Sequence, residues 1–350
     1  IVRRNEKSEP PQVGALLAIG DSVELGGGAK AVLQAPDGLL FQTPSGGMPK
    51  VPGTPWVFMV TGQGGLPVFQ KLKTGTLSIA QAKTVGAALA AAARNEEPGS
   101  AAFVHVVSAP SGNSSYLDHP ALNGKPDRVV LVSAQAGAVT NNRATGAWYN
   151  AGLQRWAIYN EDLAAMPVGA RFSVRAMAPS ATAFVHRVTS ANRSGHITYL
   201  SSPELDGRPA LALQVTHVYN PPGVAGVYNN HAVGVWYDGG RGQWAVYNDD
   251  LAALPLDAAF AVKVGGYRSV TASATTRVGN AVVIDDPALN GVADARVFLT
   301  HNYAPPGTTA AYHNRQSALR YDGALGRWTV VNLDGTQVAN NVSFNLHRGY

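Results

Sequence analysis

The sequence predicts a mainly β protein, in which three tandem antiparallel β-sandwich-like or barrel-like repeats follow a small β-rich α+β domain with one helix. Three observations support this. One segment pattern occurs three times, short apolar stretches alternate with turn residues, and Gly and Pro are plentiful at 38 and 22 residues. Because 45% of the residues are hydrophobic and only 14% are charged, we expect buried cores rather than disorder.

The repeat is clearest around a tryptophan in the second half of each copy. Ala147 begins AWYNAGLQRWAIYNEDLAAMP, Val235 begins VWYDGGRGQWAVYNDDLAALP, and Ala318 begins the more diverged ALRYDGALGRWTVVNLDG. A Pro-x-Leu-Asn/Asp-Gly segment recurs upstream in each copy with matching separations of 83 and 84 residues. The equivalent tryptophans, which we assign to the core as repeat anchors, are Trp156, Trp244 and Trp328.

These spacings set the predicted boundaries. Before the repeats, Ser78 and Gln81 fit a helix-capping box, which favours the one helix. The predicted segments are an extended N-terminal arm at 1–13, an α+β domain at 14–95 with its helix at 78–94, a linker at 96–100, and repeats at 101–179, 180–267 and 268–350.

Each repeat has the pattern of a compact β unit. In the second, Ala210–Val218 is rich in aliphatic residues, Val233–Tyr237 and Trp244–Tyr247 flank a glycine-rich hairpin turn, and Ala259–Val264 alternates. We expect about five to seven strands in each copy.

Composition excludes several function classes. With no cysteine, disulfides, thiolate catalysis and cysteine zinc sites are ruled out. The net charge of +5 comes from scattered basic residues, which disfavours nucleic-acid binding. No apolar run is long enough to span a bilayer. Because the first residue is Ile1 rather than Met, we expect that a leader was removed, as secretion would require.

No pattern for catalysis is present. Gly-x-Ser-x-Gly, His-Glu-x-x-His and a phosphate-binding loop are all missing from the sequence. Enzyme sites are usually single, whereas three similar copies suggest multivalency or a spacer. We therefore expect a non-enzymatic protein without catalytic residues or cofactors.

The histidines are the first candidates for metal binding. His217 and His231 lie in the second repeat, whereas the third keeps His301 and has Arg315 in the second position. A metal site needs three or more ligands held together. We therefore expect hydrogen-bonded histidines and no metal.

An Asn-x-Asp pair follows the tryptophan strand in every repeat and has two interpretations. The oxygens suit a calcium loop. Alternatively, the asparagine caps a short helical turn whose first residues are acidic. We favour the cap, which makes three asparagines structural anchors: Asn160, Asn248 and Asn332.

Aromatic residues on paired strands are the candidate binding surface. Neighbours in a strand face opposite sides, so each repeat exposes some rings beside Asn and Asp. That mixture suits sugar rings and equally suits a protein contact. The predicted ligand-binding residues, all in the second repeat, are Tyr228, Asn229, His231, Trp236, Tyr237, Asp238 and Tyr247.

The second repeat also carries a recognisable series of motifs: His-x-Tyr-Asn-Pro-Pro-Gly, Val-Tyr-Asn-Asn-His, Val-Gly-Val-Trp-Tyr-Asp and Trp-Ala-Val-Tyr-Asn-Asp-Asp. Together they resemble an uncharacterised β-domain family found in tandem in secreted and surface proteins of bacteria. The resemblance covers about residues 101–350. The first repeat departs at the His/Pro-Pro-Gly segment, and the third lacks the first Trp of the pattern. The resemblance implies location and modular architecture, but no activity.

Two functional hypotheses follow. In the first, the chain is an extracellular or cell-surface multivalent binding or adhesion protein whose partner is a glycan or a surface protein. In the second, it is a self-assembling subunit of a filament or surface layer whose partners are copies of itself, with contacts through the N-terminal arm or the repeats.

Overall fold

The computed structural model describes residues 100–265 and 268–349, together with the backbone of seven strands within residues 2–71. The chain divides into two compact units, Ile1–Glu97 and Pro98–Tyr350. The described residues contain strands and turns but no helix, so the mainly β class is confirmed. The helix expected at 78–94 lies outside the described residues.

The first unit contains a five-stranded antiparallel sheet in the order β2-β1-β3-β6-β7, and β4 pairs with β5. Strands β1 and β2 lie within the segment predicted as an arm, and β1 also pairs with β3. The strands are β1 (Val2–Arg4), β2 (Lys7–Glu9), β3 (Ser22–Leu25), β4 (Val32–Gln34), β5 (Leu40–Gln42), β6 (Trp56–Gln63) and β7 (Leu66–Lys71).

The second unit holds all three repeats. The first contains β8 (Ala101–Val106), β9 (Ser114–Tyr116), β10 (Val129–Gln135), β11 (Thr145–Asn150), β12 (Arg155–Asn160) and β13 (Arg171–Met177). The second contains β14 (Ala183–Arg187), β15 (Arg193–Ser194), β16 (Ile197–Tyr199), β17 (Leu213–Val218), β18 (Val233–Asp238), β19 (Gln243–Asn248) and β20 (Ala259–Val264). The third contains β21 (Arg268–Thr271), β22 (Arg277–Val278), β23 (Ala281–Ile284), β24 (Arg296–Asn302), β25 (Ser317–Asp322), β26 (Arg327–Asn332) and β27 (Ser343–Gly349).

Each sheet of the second unit is built from two repeats. One sheet has the order β14-β20-β17-β11-β12-β9 and combines the second repeat with the first. Another, β15-β16-β19-β18-β24-β27-β21, combines the second with the third. The last, β22-β23-β26-β25-β10-β13-β8, joins the third back to the first. The three repeats therefore form a closed ring, an arrangement that the sequence repeat does not reveal.

A parallel strand pair links the two repeats of each sheet, and we call these pairs the 1–2, 2–3 and 3–1 joints. At the 1–2 joint β11 pairs with β17, and at the 2–3 joint β18 pairs with β24. At the 3–1 joint β25 pairs with β10. The other strand pairs of the three sheets are antiparallel.

Hydrogen bonds from backbone N–H groups to side-chain hydroxyls also connect each repeat to the next. The backbone N–H of Val132 donates to Thr216 Oγ1 at 2.9 Å, and that of Val215 donates to Thr300 Oγ1 at 3.1 Å. The N–H of Leu299 donates to Ser133 Oγ at 3.0 Å. Each repeat thus gives one donor to the next and one acceptor to the previous repeat.

The three anchor tryptophans occupy equivalent buried positions, each with an exposure of 3% or less. Each indole N–H donates to a loop carbonyl 31 to 36 residues earlier, at 2.8 to 3.0 Å. A tyrosine from the neighbouring strand packs edge-on against each ring, with centroids 5.6 to 5.7 Å apart. The pairs are Tyr149 with Trp156, Tyr237 with Trp244, and Tyr321 with Trp328.

Candidate functional site

The predicted ligand-binding residues of the second repeat are not gathered into one site. Tyr228 lies at the 1–2 joint, where it packs on Tyr219 and Tyr159. Trp236 and Tyr247 lie on β18 and β19 of the sheet that crosses the 2–3 joint. The structure therefore places Tyr228 on one surface and Trp236 and Tyr247 on another, and each surface is shared with a neighbouring repeat.

The first surface, which we call patch one, lies over the 1–2 joint. In the sheet register Tyr116 and Trp148 both neighbour Ala157, and their ring centroids are 6.1 Å apart. The parallel pairing of β11 with β17 continues this row towards Tyr219. Tyr228, with an exposure of 43%, packs against Tyr219 with the ring centroids 4.6 Å apart and the ring planes tilted by 39°. Patch one consists of Tyr116, Trp148, Tyr159, Tyr219 and Tyr228.

Patch two is the equivalent surface over the 2–3 joint. Tyr199 and Trp236 neighbour Ala245 in the register. Tyr303 and Tyr312 have centroids 4.6 Å apart, the same as the corresponding pair in patch one. Tyr312 is 48% exposed. Patch two consists of Tyr199, Trp236, Tyr247, Tyr303 and Tyr312.

A glycine allows the central tyrosine of each patch to cross the neighbouring strand. A Cβ atom on Gly146 would lie 2.8 Å from the Tyr159 ring, and one on Gly234 would lie 2.5 Å from Tyr247 Oη. Because real Cβ atoms do not approach other atoms so closely, any larger residue would displace the ring.

Beneath patch one, Tyr159 is held by a buried acid and a buried histidine. Its hydroxyl donates to Glu161 Oε1 at 2.7 Å and lies 2.9 Å from His217 Nδ1. His217 Nδ1 also contacts Glu161, whose other oxygen accepts the backbone N–H of Asn229 at 3.0 Å. Burial raises the pKa of Tyr159 far above its usual range, and Glu161 adds to the effect, so the phenol stays neutral and donates.

Patch two has the same support. Tyr247 Oη donates to Asp249 Oδ1 at 3.2 Å, and His301 Nδ1 lies 2.9 Å from Asp249 Oδ2. The backbone N–H of His313 also donates to Asp249 Oδ1, at 3.0 Å. Burial, followed by the charge of Asp249, raises the pKa of Tyr247 as well. Both histidines are thus hydrogen-bonded structural groups at a joint.

The 3–1 joint replaces this constellation with apolar side chains. Val331 occupies the position of Tyr247, Leu333 that of Asp249, and Ala134 that of His301. These residues belong to or pack against a small apolar cluster with Ala281 and Ala318. Arg320 stands where patch two has Trp236. In the sequence, the first repeat departs from the pattern at the His/Pro-Pro-Gly segment and the third repeat lacks the first Trp. Both departures therefore lie at the 3–1 joint.

Asn160, Asn248 and Asn332 are buried, but the cap interpretation is wrong for them. No helix starts at these positions. Instead, their side-chain amides donate to acceptors four or five residues later. The aspartate two residues after each asparagine accepts the backbone N–H in its place. For example, Asp250 Oδ1 accepts the N–H of Ala252 at 3.0 Å. This is an Asx turn rather than a helix cap.

Each aspartate of the Asn-x-Asp pairs already has a basic side chain as its partner. Arg143 contacts Asp162 at 2.7 Å, His231 contacts Asp250 at 2.6 Å, and Arg315 contacts Asp334. These three equivalent basic residues line a cavity of about 120 Å³ within the ring. Among residues 100–265 and 268–349, no group of three or more potential metal ligands occurs.

The remaining predicted ligand residues have structural contacts. Asn229 is buried and bonds to Asn248 through both side-chain amides. Tyr237 packs against the core at Trp244. Asp238 lies beside patch two, where its Oδ1 accepts the N–H of Gly240 and its Oδ2 accepts the hydroxyl of Tyr199.

Tyr116 and Tyr199 are the patch residues that the sequence interpretation missed. They lie on the three-residue strands β9 and β16, which have no strong pattern of their own. A signal was nevertheless present, because their separation of 83 residues matches that of the Pro-x-Leu-Asn/Asp-Gly segments that follow them.

The closed ring and its two patches define a class of all-β repeat protein with two equivalent aromatic surfaces. Residues 84–174, 146–264 and 265–347 match the family model of a domain of unknown function, DUF7452. The matches span more than half of the chain, so this protein belongs to that family. No curated protein and no solved structure matches the chain.

The second family match has a structural counterpart. Residues 146–264 run from β11 of the first repeat to β20 of the second, so they include both strands of the 1–2 joint. The described residues also contain no helix that is long and apolar enough to cross a membrane.

Proposed function

We propose that this chain is a non-enzymatic, multivalent carbohydrate-binding protein of the cell surface or extracellular space, and that patches one and two are its binding sites. The observation that carries the proposal is the pair of equivalent, partly exposed Trp/Tyr surfaces held by the same buried support. Two equivalent aromatic surfaces on one chain suit multivalent recognition of saccharides.

The chemistry of the patches favours sugars. The C–H faces of sugar rings stack on aromatic rings, while their hydroxyls bond to polar groups at the edge. Polar groups flank both patches: Asn150 donates to Tyr116 Oη at 2.9 Å in patch one, and Asp238 accepts from Tyr199 in patch two. The row from Tyr199 to Tyr303 spans four neighbouring strands, about 14 Å, which is wider than a single sugar ring.

The ring fixes the two patches on one unit. Binding of the first site makes the second contact intramolecular, so weak individual affinities combine into firm attachment. An extracellular or surface location belongs to the same proposal, because polysaccharides are displayed there. Fractionation of the native source with an antibody against the chain tests the location.

A glycan array with the full chain tests the proposal. We expect binding that is weakened by Trp148→Ala or Trp236→Ala and lost when both are replaced. Arg320→Ala is the matched control, since it occupies the equivalent position at the joint without a patch. Absence of binding to every glycan would refute the proposal. Ordered polymers whose subunit contacts include the patch rings would instead support the self-assembling subunit.

A further inference from the structure

The two patches differ in whether their hydrogen-bond donors are already engaged. In patch one, Trp148 Nε1 donates to Ser114 Oγ at 3.3 Å. The nearby Arg155 donates to Asp118 Oδ1 at 2.9 Å. In patch one the indole donor is therefore engaged and the guanidinium is paired with a carboxylate at hydrogen-bond distance, so the patch offers a ligand mainly its aromatic faces.

Patch two leaves the corresponding indole without a partner. Ile197 occupies the register position that Ser114 has in patch one, so no hydroxyl faces Trp236. Within residues 100–265 and 268–349, the indole N–H of Trp236 makes no hydrogen bond. The side chain is partly exposed, which leaves this donor accessible to a ligand.

Patch two also presents an arginine. The guanidinium of Arg241 lies 4.2 Å above the ring centre of Tyr199, which fixes it over the patch. Its nearest carboxylate oxygen, Asp238 Oδ2, is 3.8 Å from Nε, beyond hydrogen-bond distance. Both oxygens of Asp238 already accept other donors, namely the backbone N–H of Gly240 and the hydroxyl of Tyr199. The guanidinium therefore retains donors for an external anion.

We infer that patch two selects acidic saccharides, with a sugar ring on Trp236 and a carboxylate of the same oligosaccharide on Arg241, whereas patch one takes neutral sugars. This inference rests on the proposed carbohydrate binding. Arginine recognises carboxylates through paired, charge-assisted hydrogen bonds. Tyr199 and Trp236 are separated by two strand spacings, about 10 Å, so the carboxylate and the stacked ring belong to neighbouring sugars of one chain.

The test uses pairs of oligosaccharides in which each uronic acid is matched with its carboxyl-reduced neutral sugar. Binding is measured for the full chain carrying Trp148→Ala, so that only patch two contributes to the measured affinity. We expect the acidic member of a pair to bind about tenfold more tightly and to weaken with added salt. Arg241→Gln should remove the preference while leaving binding of the neutral sugar, and Trp236→Phe should weaken both.

Arg208→Gln is the matched control, because Arg208 is an exposed arginine of the same repeat that pairs with Glu204. Equal binding of acidic and neutral members, or an acid preference that survives Arg241→Gln, would overturn this inference and leave the proposed function intact. An acid preference that persists in Trp236→Ala but disappears in Trp148→Ala would overturn the assignment to patch two. Failure of the unmodified chain to bind any member would overturn the proposed function itself.

Discussion

Acidification should destabilise the second unit because burial lowers the pKa values of several of its histidines, and His186 and His313 illustrate the size of the effect. Burial lowers the pKa of His186 to about 4. For His313, burial and then the charges of His301 and Arg315 lower the pKa to about 4, with Asp249 opposing. The unfolded chain therefore binds more protons below its histidine pKa of about 6.5. This part of the stability is complete above that pH and is lost as the pH falls towards 4.

The size of the effect follows from the difference between folded and unfolded pKa values. At about pH 5 each of these two histidines lowers the free energy of unfolding by about 2 kcal/mol relative to neutral pH, since one pKa unit corresponds to about 1.4 kcal/mol. Together they remove about 4 kcal/mol, which is a large share of the roughly 5–15 kcal/mol that stabilises a typical domain.

Urea unfolding of the full chain at about pH 7.5 and about pH 5, followed by tryptophan fluorescence, measures the loss. His313→Asn is the informative variant, because Asn141 and Asn229 occupy the equivalent positions in the other repeats. We expect it to reduce the loss of stability between the two pH values by about 2 kcal/mol, the contribution of this one histidine. A free energy of unfolding that does not change between the two pH values, or a His313→Asn variant with undiminished dependence, would refute the reasoning.

Three further predictions test the fold and the joints. Trp244→Ala should lower the free energy of unfolding by about 3–5 kcal/mol and shift one common transition of the second unit, because the sheets are shared. A separate early transition of the second repeat would contradict this. Gly234→Ala should destabilise by about 1–3 kcal/mol and weaken patch two by displacing Tyr247, whereas Gly239→Ala, with open space around its Cβ position, should not. Millimolar calcium should leave the melting temperature unchanged; a stabilising shift abolished by Asp250→Ala would instead establish an ion at the Asn-x-Asp turn.

The sequence predicts the strands and the buried tryptophans because these depend on local patterns. Trp244 and its hairpin with β18 are specified within about twenty residues of chain, and alternation places one face inward. The closure of the ring is different. It depends on parallel pairing between β11 and β17 and its equivalents, whose partners are far apart in sequence and carry no turn between them.

The candidate site could be predicted only in part for the same reason. The aromatic residues of the second repeat are recognisable, but Tyr228 and Trp236 belong to different patches because each patch is completed by another repeat. The apolar 3–1 joint left a trace in the sequence, since Ala134 and Val331 each break the repeat pattern. That these two residues contribute to one apolar joint can be recognised only once the strands of the first and third repeats are known to share a sheet.

The number of binding sites on one chain tests the central claim most directly. Isothermal titration with a neutral glycan from the array, which both patches are expected to bind, should give two sites for the unmodified chain. Trp148→Ala and Trp236→Ala should each leave one site, the double variant should leave none, and Arg320→Ala should keep two. A stoichiometry of three, or two sites that persist after both tryptophans are removed, would contradict the assignment of binding to the two aromatic patches.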